Sequence, residues 1–258
     1  MKTALIGYTG FVGSNINFQA NFDELYNSKN LGDITGKSFD LVVCAGVPAV
    51  KWWANQNPDK DLETILALAE VYKTISAKRF VLISTVDVYP SPIDVTEKSI
   101  INAEDLCPYG KNRLLLEDLI SNHFDSYNII RLPGLFGKGI KKNVLFDLIQ
   151  RNILEKINLD SEFQWYPLSR LWKDIQTVIN ADIRIANLAV QPLSTRRIRD
   201  TYFTNLDVGS DPFPKAKYDM KSDYAALFTS KCQNYIMTND EVLLELGDWL
   251  KKPEVKCE

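Results

Sequence analysis

The chain of 258 residues offers few groups for acid–base chemistry, because it contains a single histidine, His123. This histidine lies near the end of an amphipathic stretch, where a helix cap or a surface position is expected. Ser-His-Asp hydrolysis and multi-histidine metal sites are therefore disfavoured, and acid–base chemistry must fall to Tyr, Lys, Cys or a carboxylate. Tyr109 and Arg113 stand four residues apart at the start of a predicted helix, so they share one face of it. They are a candidate reactive pair, and the alternative is a packing pair at the helix start.

A glycine-rich turn lies near the start of the chain. Residues 2–6 are a short apolar run typical of a buried strand, and residues 7–13 follow the pattern G-x-x-G-x-x-G before a helix opens at Ser14. Such glycines let the chain turn off the strand, let a pyrophosphate approach the backbone and let the helix pack closely. The helix start adds free N–H groups and a positive dipole end. This order favours a dinucleotide site over a plain strand-to-helix turn. The predicted contacts are Gly7, Gly10, Phe11, Val12 and Gly13.

The end of the predicted second strand, residues 24–27, bears on which nicotinamide cofactor is preferred. In dinucleotide-binding folds this strand end meets the adenosine ribose, where an acid favours a free 2′-hydroxyl and a base favours a 2′-phosphate. Ser28 and Lys29 occupy that place, which favours NADP(H) over NAD(H). Two alternatives stay open: an ordinary solvated turn, and Asp33 as the acid on the ribose.

Charge and composition point to a small-molecule ligand. The 30 Lys and Arg residues nearly balance the 33 Asp and Glu residues, so we expect neither a nucleic-acid groove nor a basic membrane face. No apolar run approaches the roughly 18 residues of a membrane helix, and the first strand leads directly into the glycine turn. We therefore predict a cytoplasmic protein without a cleaved signal peptide. The absence of C-x-x-C spacing predicts no zinc site and reduced, mostly buried thiols at Cys44, Cys107, Cys232 and Cys257.

The remaining periodicity predicts alternating strands and helices. Ser84 and Thr85 close the apolar run 80–83, at the strand end where parallel sheets bind substrates. Residues 48–53 and 90–105 are predicted as loops near the site, and the two tryptophans of the first either cover the site or form a packing anchor. The other predicted strands are 39–46, 128–132 and 183–188, and the other predicted helices are 61–76, 109–123, 143–157 and 240–250.

Four motifs in order carry a resemblance to a known family. They are the glycine turn, the Ser84-Thr85 strand end, the Tyr109 helix start and the strand exit Arg-Leu-Pro-x-x-Phe-Gly over residues 131–137. The chain thereby resembles the extended short-chain dehydrogenase/reductases, in particular their nucleotide-sugar epimerases, dehydratases and reductases. The resemblance covers roughly residues 1–190.

The resemblance implies roles for individual residues. Thr85 takes the place of the family's catalytic hydroxyl, and Tyr109 takes the place of its catalytic tyrosine. The resemblance also implies cofactor contacts outside the glycine turn and the end of the second strand. They are Asp33 and Ile34 at the adenine, the loop residues Cys44, Ala45 and Gly46, and Pro133 at the strand exit.

Two positions depart from the family pattern. Arg113 stands where the family has a lysine, and Gly134 stands where it has a substrate-binding asparagine. Because tyrosine ionises with a pKa of about 10, catalysis near neutral pH needs a positive charge that favours the phenolate. Arg113 can supply that charge and can donate to the nicotinamide ribose. It cannot release a proton, so a proton relay through this residue is lost.

These features predict an α/β protein with a Rossmann-like, doubly wound parallel sheet and a small C-terminal substrate lobe. The NAD(P)-binding domain is expected over residues 1–136, completed by about 173–190, and the lobe over 137–172 and 190–258. The predicted function is NAD(P)-dependent hydride transfer on a sugar, carried on a nucleotide, with Tyr109 as acid and base. The alternative is a non-catalytic NAD(P)-binding module, which the Arg113 departure permits. Helices 61–76 and 109–123 correspond to the family's usual dimer bundle, so a homodimer is expected.

Overall fold

The structure, a computed structural model, describes residues 1–229 and 231–252. In this part of the chain the strands are β1 (Thr3–Ile6), β2 (Glu24–Tyr26), β3 (Ser38–Phe39), β4 (Leu41–Cys44), β5 (Ser76–Ala77), β6 (Phe80–Thr85), β7 (Ile93–Val95), β8 (Tyr127–Leu132), β9 (Gly134–Phe136), β10 (Glu162–Phe163), β11 (Trp165–Pro167), β12 (Ile185–Asn187), β13 (Leu193–Ser194) and β14 (Asp219–Met220). The α-helices are α1 (Phe11–Gln19), α2 (Lys51–Gln56), α3 (Pro58–Lys73), α4 (Pro108–His123), α5 (Val144–Gln150), α6 (Leu171–Asn180), α7 (Thr195–Tyr202) and α8 (Asn239–Leu250).

The central sheet has six parallel strands in the order β12-β8-β6-β4-β1-β2. Strand β1 pairs with β2 on one side and with β4 on the other, so the winding of the chain reverses beside β1. Such a reversal is the place where open α/β sheets bind ligands, at the carboxyl ends of the strands. The predicted doubly wound parallel sheet is confirmed.

Both faces of the central sheet are buried, because its strands are apolar on both sides. Ala4 and Ile6 of β1 join a core cluster with residues of α3 and α4. Leu5 lies between them in sequence, so its side chain points to the opposite face, and it is also fully buried. On the helices, the cluster members follow the helical period at Ile65, Ala69, Tyr72, Leu116 and Ile120.

The chain forms two compact units. The first comprises Met1–Ser91, Glu97–Leu132 and Leu171–Asn187 and holds the central sheet. The second comprises Pro92–Thr96, Pro133–Arg170 and the described part of Leu188–Glu258. Inside the second unit, the buried Gln164 amide donates to the Met220 carbonyl at 2.7 Å and accepts from the Met220 N–H at 2.8 Å. These units are defined by contacts rather than by function, so the predicted division into functional domains stays a prediction.

Several predicted segments differ from the structure. Residues 51–53, predicted as part of a loop, belong to α2, and residues 93–95, inside the predicted loop 90–105, form β7. The helix predicted for residues 143–157 ends at Gln150, because Arg151 and Ile153 have φ angles of +56° and +38°, which an α-helix cannot continue. None of the helices in the described ranges is long and apolar enough to cross a membrane.

The cysteines also differ from the prediction. Among the described residues only Cys44 is buried, whereas Cys107 is exposed and Cys232 is half-buried; all three are free thiols. The prediction of mostly buried cysteines is therefore wrong for this part of the chain, and Cys257 lies outside the described residues. His123 is the last residue of α4 and is exposed, as expected.

Candidate active site

The glycine turn closes tightly between β1 and α1. Gly7 has a φ of +87°, and a Cβ atom there would lie 2.5 Å from the Gly46 Cα. A Cβ on Gly13 would lie 2.0 Å from the Gly7 carbonyl oxygen, so the start of α1 packs directly against the turn. The Gly10 N–H donates to the Gly7 carbonyl at 2.9 Å, and the Ser14 N–H donates to the Gly10 carbonyl at 2.8 Å. Side chains at positions 7 and 13 would fill the space that this turn requires.

The turn fits the pyrophosphate of a dinucleotide. Gly10 is the N-cap of α1, and among the described residues no side chain caps this helix or places an acid in its first turn. Gly10 is exposed, and Phe11 and Val12 in the first turn are half-buried. Uncapped N–H groups at a helix start, together with the positive end of the helix dipole, form an anion site.

The residues predicted to contact the adenosine ribose lie just beyond β2. Ser28 and Lys29 are exposed, and the backbone there is fixed because the Lys29 N–H donates to Asn27 Oδ1 at 2.9 Å. Asp33 is exposed in a short 3₁₀ helix, Leu31–Ile34. Ile34 belongs to the core, so its side chain points away from solvent.

The predicted cofactor-lining loop follows β4. Cys44 is fully buried, its thiol lies 3.3 Å from the Tyr72 hydroxyl, and burial raises its pKa. Ala45 and Gly46 are half-buried, and Gly46 lies against Gly7 of the glycine turn. The loop can therefore offer backbone to a ligand, whereas the Cys44 thiol faces the core. Pro133, the residue after β8, is buried.

Thr85 and Tyr109 come together at the carboxyl edge of the sheet. Thr85 ends β6, Tyr109 lies in the first turn of α4, and the Thr85 hydroxyl lies near enough to the phenol to affect its pKa. The Tyr109 N–H donates to Asn55 Oδ1 at 3.0 Å, so α2 holds the start of α4 in place. Tyr109 is only 6% exposed. Burial raises its pKa, an effect that Arg113, Thr85 and Lys51 reduce and Asp87 increases.

Arg113 lies beneath the Tyr109 ring, but its charge is already paired. The guanidinium carbon lies 4.1 Å from the ring centroid, a cation–π contact. Nη1 donates to the carboxylate of Asp61 on α3, and Nη2 donates to the Pro48 carbonyl. Arg113 and Asp61 are both buried. The predicted charge therefore sits beside the phenol, while two of the donors expected to hold the nicotinamide ribose bind protein groups.

Sequence reasoning gave no site role to Lys51 or Gly110. Lys51, the first residue of α2, forms an ion pair with Asp87 at 2.7 Å. Asp87 follows Thr85 by two residues, and its N–H donates to Thr85 Oγ1 at 3.1 Å. A Cβ on Gly110 would lie 2.1 Å from the Asp87 carbonyl oxygen, so only glycine lets α4 approach this closely. The available sequence signals were the Asp at the strand end and the Gly after Tyr109.

A buried ion pair fixes α4 against the sheet. Glu117 of α4 and Arg131 of β8 are 2% and 3% exposed, and Arg131 Nε donates to both carboxylate oxygens at 3.1 Å. Ser84, beside Thr85 on β6, also donates to Glu117. Arg131 Nη1 donates to the Tyr89 hydroxyl at 2.8 Å. These contacts determine where Tyr109 stands relative to Thr85.

Comparisons with known proteins identify the family of the chain. A family model described as "NAD dependent epimerase/dehydratase family" matches residues 23–165, which is more than half of the chain and begins after the glycine turn. A search of curated proteins finds no match.

Solved structures share the fold at low sequence identity. A dTDP-4-dehydrorhamnose reductase from Clostridium acetobutylicum is 18% identical, with 97% of this chain and 98% of that chain covered and a TM-score of 0.70. A reductase of the same name from Bacillus anthracis, in complex with NADP, is 15% identical, with 97% and 98% covered and a TM-score of 0.72. The UDP-glucose 4-epimerase from Thermotoga maritima, solved with UDP-glucose, is 13% identical, with 85% and 89% covered and a TM-score of 0.67. The family match places the chain in the NAD dependent epimerase/dehydratase family, as its resemblance to the extended short-chain dehydrogenase/reductases predicted, and the solved structures share its fold.

Proposed function

We propose that this chain is an NAD(P)-dependent oxidoreductase or epimerase that acts on a sugar carried on a nucleotide, with Tyr109 as its acid and base. The observation that carries the proposal is the placement of Thr85, at the end of β6, beside the buried Tyr109 at the start of α4, where it lowers the tyrosine's pKa. Thr85 ends β6, and the glycine turn follows β1 of the same parallel sheet, so both lie at its carboxyl edge. The sugar nucleotide is proposed from the family and from the ligands named in the related structures.

The chain's own residues supply the proton chemistry. A nicotinamide dinucleotide, its pyrophosphate at the glycine turn, would supply the hydride chemistry when bound. The Tyr109 hydroxyl exchanges a proton with the reacting oxygen of the sugar, and the Thr85 hydroxyl hydrogen-bonds the same oxygen. Arg113, beneath the ring, stabilises the negative charge that forms on Tyr109 when it gives up its proton.

The direction of the Tyr109 pKa shift suits a proton donor. Burial raises the pKa, and the nearby cations Arg113 and Lys51 do not fully offset it. At neutral pH the phenol therefore carries its proton, ready for transfer to an oxygen that becomes negative during reduction. In the reverse direction, the two cations favour the phenolate that must form.

A non-catalytic binding module is the second candidate. The observation that favours it is the buried pairing of Arg113 with Asp61, which leaves position 113 without the mobile ammonium group of the family's lysine. A panel of nucleotide sugars separates the two candidates. Turnover detected by nicotinamide absorbance, or by a product assay for epimerisation, supports the enzyme. Cofactor binding without turnover of any sugar in either assay supports the binding module.

We propose that the site prefers NADP(H) over NAD(H), because Lys29 can pair with a 2′-phosphate. Lys29→Ala is expected to weaken NADP⁺ binding roughly tenfold, about 1.4 kcal/mol, and to leave NAD⁺ binding nearly unchanged. Calorimetric titration with both cofactors measures this. Lys60→Ala, which removes an exposed lysine from α3, is the matched control. An unchanged preference in Lys29→Ala would refute the 2′-phosphate assignment, and binding of neither cofactor by the parent would refute the proposed function.

We also propose a cytoplasmic homodimer that associates through α3 and α4. These two helices pack against each other, and Leu66 of α3 leaves 43% of its surface exposed. Light scattering is expected to give twice the 29.4 kDa mass of one chain. A single-chain mass at high protein concentration would contradict the dimer, and recovery with the membrane fraction of cells would contradict the location.

A further inference from the structure

Asp61 is a buried carboxylate to which the proposed proton chemistry gives no role. It lies in the first turn of α3 and is 1% exposed, whereas Asp59 in the same turn is exposed. The helix dipole favours an acid at either position, so it does not explain why one of them is buried. Two side chains of α4 donate to its Oδ2 atom: Asn112 Nδ2 at 2.8 Å and Arg113 Nη1. The carboxylate thus joins α3 to α4 and pairs with a cation there.

Arg113 is fixed in place by contacts from three elements. Nη1 donates to Asp61 on α3, and Nη2 donates to the Pro48 carbonyl in the loop after β4. The guanidinium carbon lies 4.1 Å from the centroid of the Tyr109 ring, in the first turn of α4. The side chain would lose both hydrogen bonds if it swung away from the ring. Its charge is therefore a constant part of the surroundings of the phenol.

The Asp61 carboxylate offsets the charge that Arg113 presents to the phenol. A cation close to a phenol favours the phenolate, and an anion close to it favours the protonated form. Because Asp61 contacts the guanidinium, a pair of opposite charges lies beneath the Tyr109 ring in place of a lone cation. The two side chains are 4% and 1% exposed, so water and salt screen them weakly.

The other charges near Tyr109 lie closer to solvent. Lys51 on α2 forms an ion pair with Asp87, which follows β6, and their side chains are 44% and 18% exposed. Burial raises the pKa of Tyr109, and Asp87 adds to that effect, whereas Arg113, Thr85 and Lys51 oppose it. Solvent screens the Lys51–Asp87 pair more than the buried pair beneath the ring.

Resting on the proposed function, we propose that Asp61 is a positioning residue for Tyr109, which holds Arg113 beneath the ring and offsets part of its charge. The phenol thereby keeps its proton over a wider range of pH, ready for a substrate oxygen. Arg113 stays close enough to stabilise the phenolate that the transfer leaves behind. Without Asp61, an unpaired buried guanidinium would favour the phenolate before any substrate has accepted the proton.

The ionisation of Tyr109 tests this proposal without a substrate. 3-Fluorotyrosine is introduced at position 109 of the full chain, and its ¹⁹F shift is followed against pH. The fluorine also lowers the pH at which the phenol ionises, toward the range in which the fold is stable. Asp61→Asn is expected to lower the pH of the transition by about one unit, because the unpaired guanidinium favours the phenolate. Asp59→Asn, which changes the exposed acid of the same helix turn, is the matched control and should leave the transition unchanged.

Two further variants separate the effect of charge from a loosening of the structure. Arg113→Gln removes the cation and retains the carboxylate, so the transition should move to higher pH. The double variant, Asp61→Asn with Arg113→Gln, should have a transition between those of the two single variants. A purely structural role predicts a different order, because water that enters a loosened site would weaken the effect of burial and lower the transition pH in every variant.

Each outcome bears on the role of Asp61. A transition in Asp61→Asn at or above the pH of the parent, or one in Arg113→Gln below it, would overturn the proposal. If Asp61→Asn does not fold, the double variant remains informative, because it leaves no buried charge unpaired and differs from Arg113→Gln only by the carboxylate. Equal transitions in those two proteins would also overturn the proposal.

The role of Asp61 and the proposed function can fail separately. The expected order of transitions, with no nucleotide sugar turned over by the parent, would retain the effect of Asp61 on Tyr109 and refute the enzyme. Turnover by the parent with an unchanged transition in Asp61→Asn would retain the enzyme and refute the positioning role. Where both hold, the pH at which reduction falls should be lower in Asp61→Asn by the same amount as the fluorine transition.

Discussion

Replacing Glu117 with glutamine is expected to lower the free energy of unfolding by about 3–5 kcal/mol, because Arg131 would remain buried without its counter-charge. Burial alone would lower the pKa of Arg131, yet hydrogen bonds and charge from Glu117 raise it overall. Arginine does not deprotonate in proteins, so Arg131 stays charged in the variant. Its nearest polar neighbours would be the Tyr89 hydroxyl and a neutral amide, which compensate poorly for a lost carboxylate.

Urea unfolding of matched variants checks this prediction. Asp118→Asn removes the neighbouring carboxylate on the exposed side of α4 and should change stability by about 0.5 kcal/mol or less. The double variant Glu117→Met with Arg131→Met removes both charges and should recover much of the loss, because an apolar pair of similar size needs no counter-charge. If Glu117→Gln cost no more than Asp118→Asn, the pair would not hold α4 on the sheet.

Replacing Tyr109 with phenylalanine is expected to lower turnover by about 10²–10⁴-fold, the usual contribution of a positioned acid or base. The phenyl ring retains its place over Arg113, so local packing should survive. Cofactor affinity should stay nearly unchanged, because the glycine turn holds the pyrophosphate. In the parent, reduction should persist through neutral pH and fall as pH rises through the raised Tyr109 pKa, since only the protonated phenol donates.

The measurement compares kcat and cofactor affinity for a nucleotide sugar that the parent turns over. Tyr127→Phe, a half-buried tyrosine on β8, is the matched control and should keep activity close to that of the parent. Full activity in Tyr109→Phe would show that another residue is the acid, and Asp87 or Cys107 would be the next residues to replace.

The parts of this fold that sequence predicts are those determined by local pattern. The apolar run at β4 and the glycine spacing at residues 7–13 each fix a strand or a turn by themselves, so both were predictable. Arg113 was expected to work on its own, because its partner Asp61 lies 52 residues away and looks like an ordinary acid in the first turn of a helix. Contacts between residues so far apart in the sequence leave no periodic pattern in it.

The Lys51–Asp87 ion pair was not predicted, for a related reason. Helix α2 has only six residues, too few to show an apolar face, and its two tryptophans resemble a covering loop. The same limit affects α5, where the pattern over residues 143–157 continues although the backbone turns left-handed at Arg151. Periodicity predicts which residues face the core, but it cannot show where the φ angle changes sign.

The two edges of the central sheet bear on how copies of this protein can associate. Both edge strands, β2 and β12, are only three residues long. On β2, hydrogen bonds from Lys2 and Lys37 lower the pKa of Glu24 to about 2. At physiological pH this edge of the sheet therefore carries a carboxylate held between two ammonium groups. Edge strands of three residues, one of them charged, offer little template for another strand. Growth of the sheet into fibres by addition of strands at these edges is thereby disfavoured.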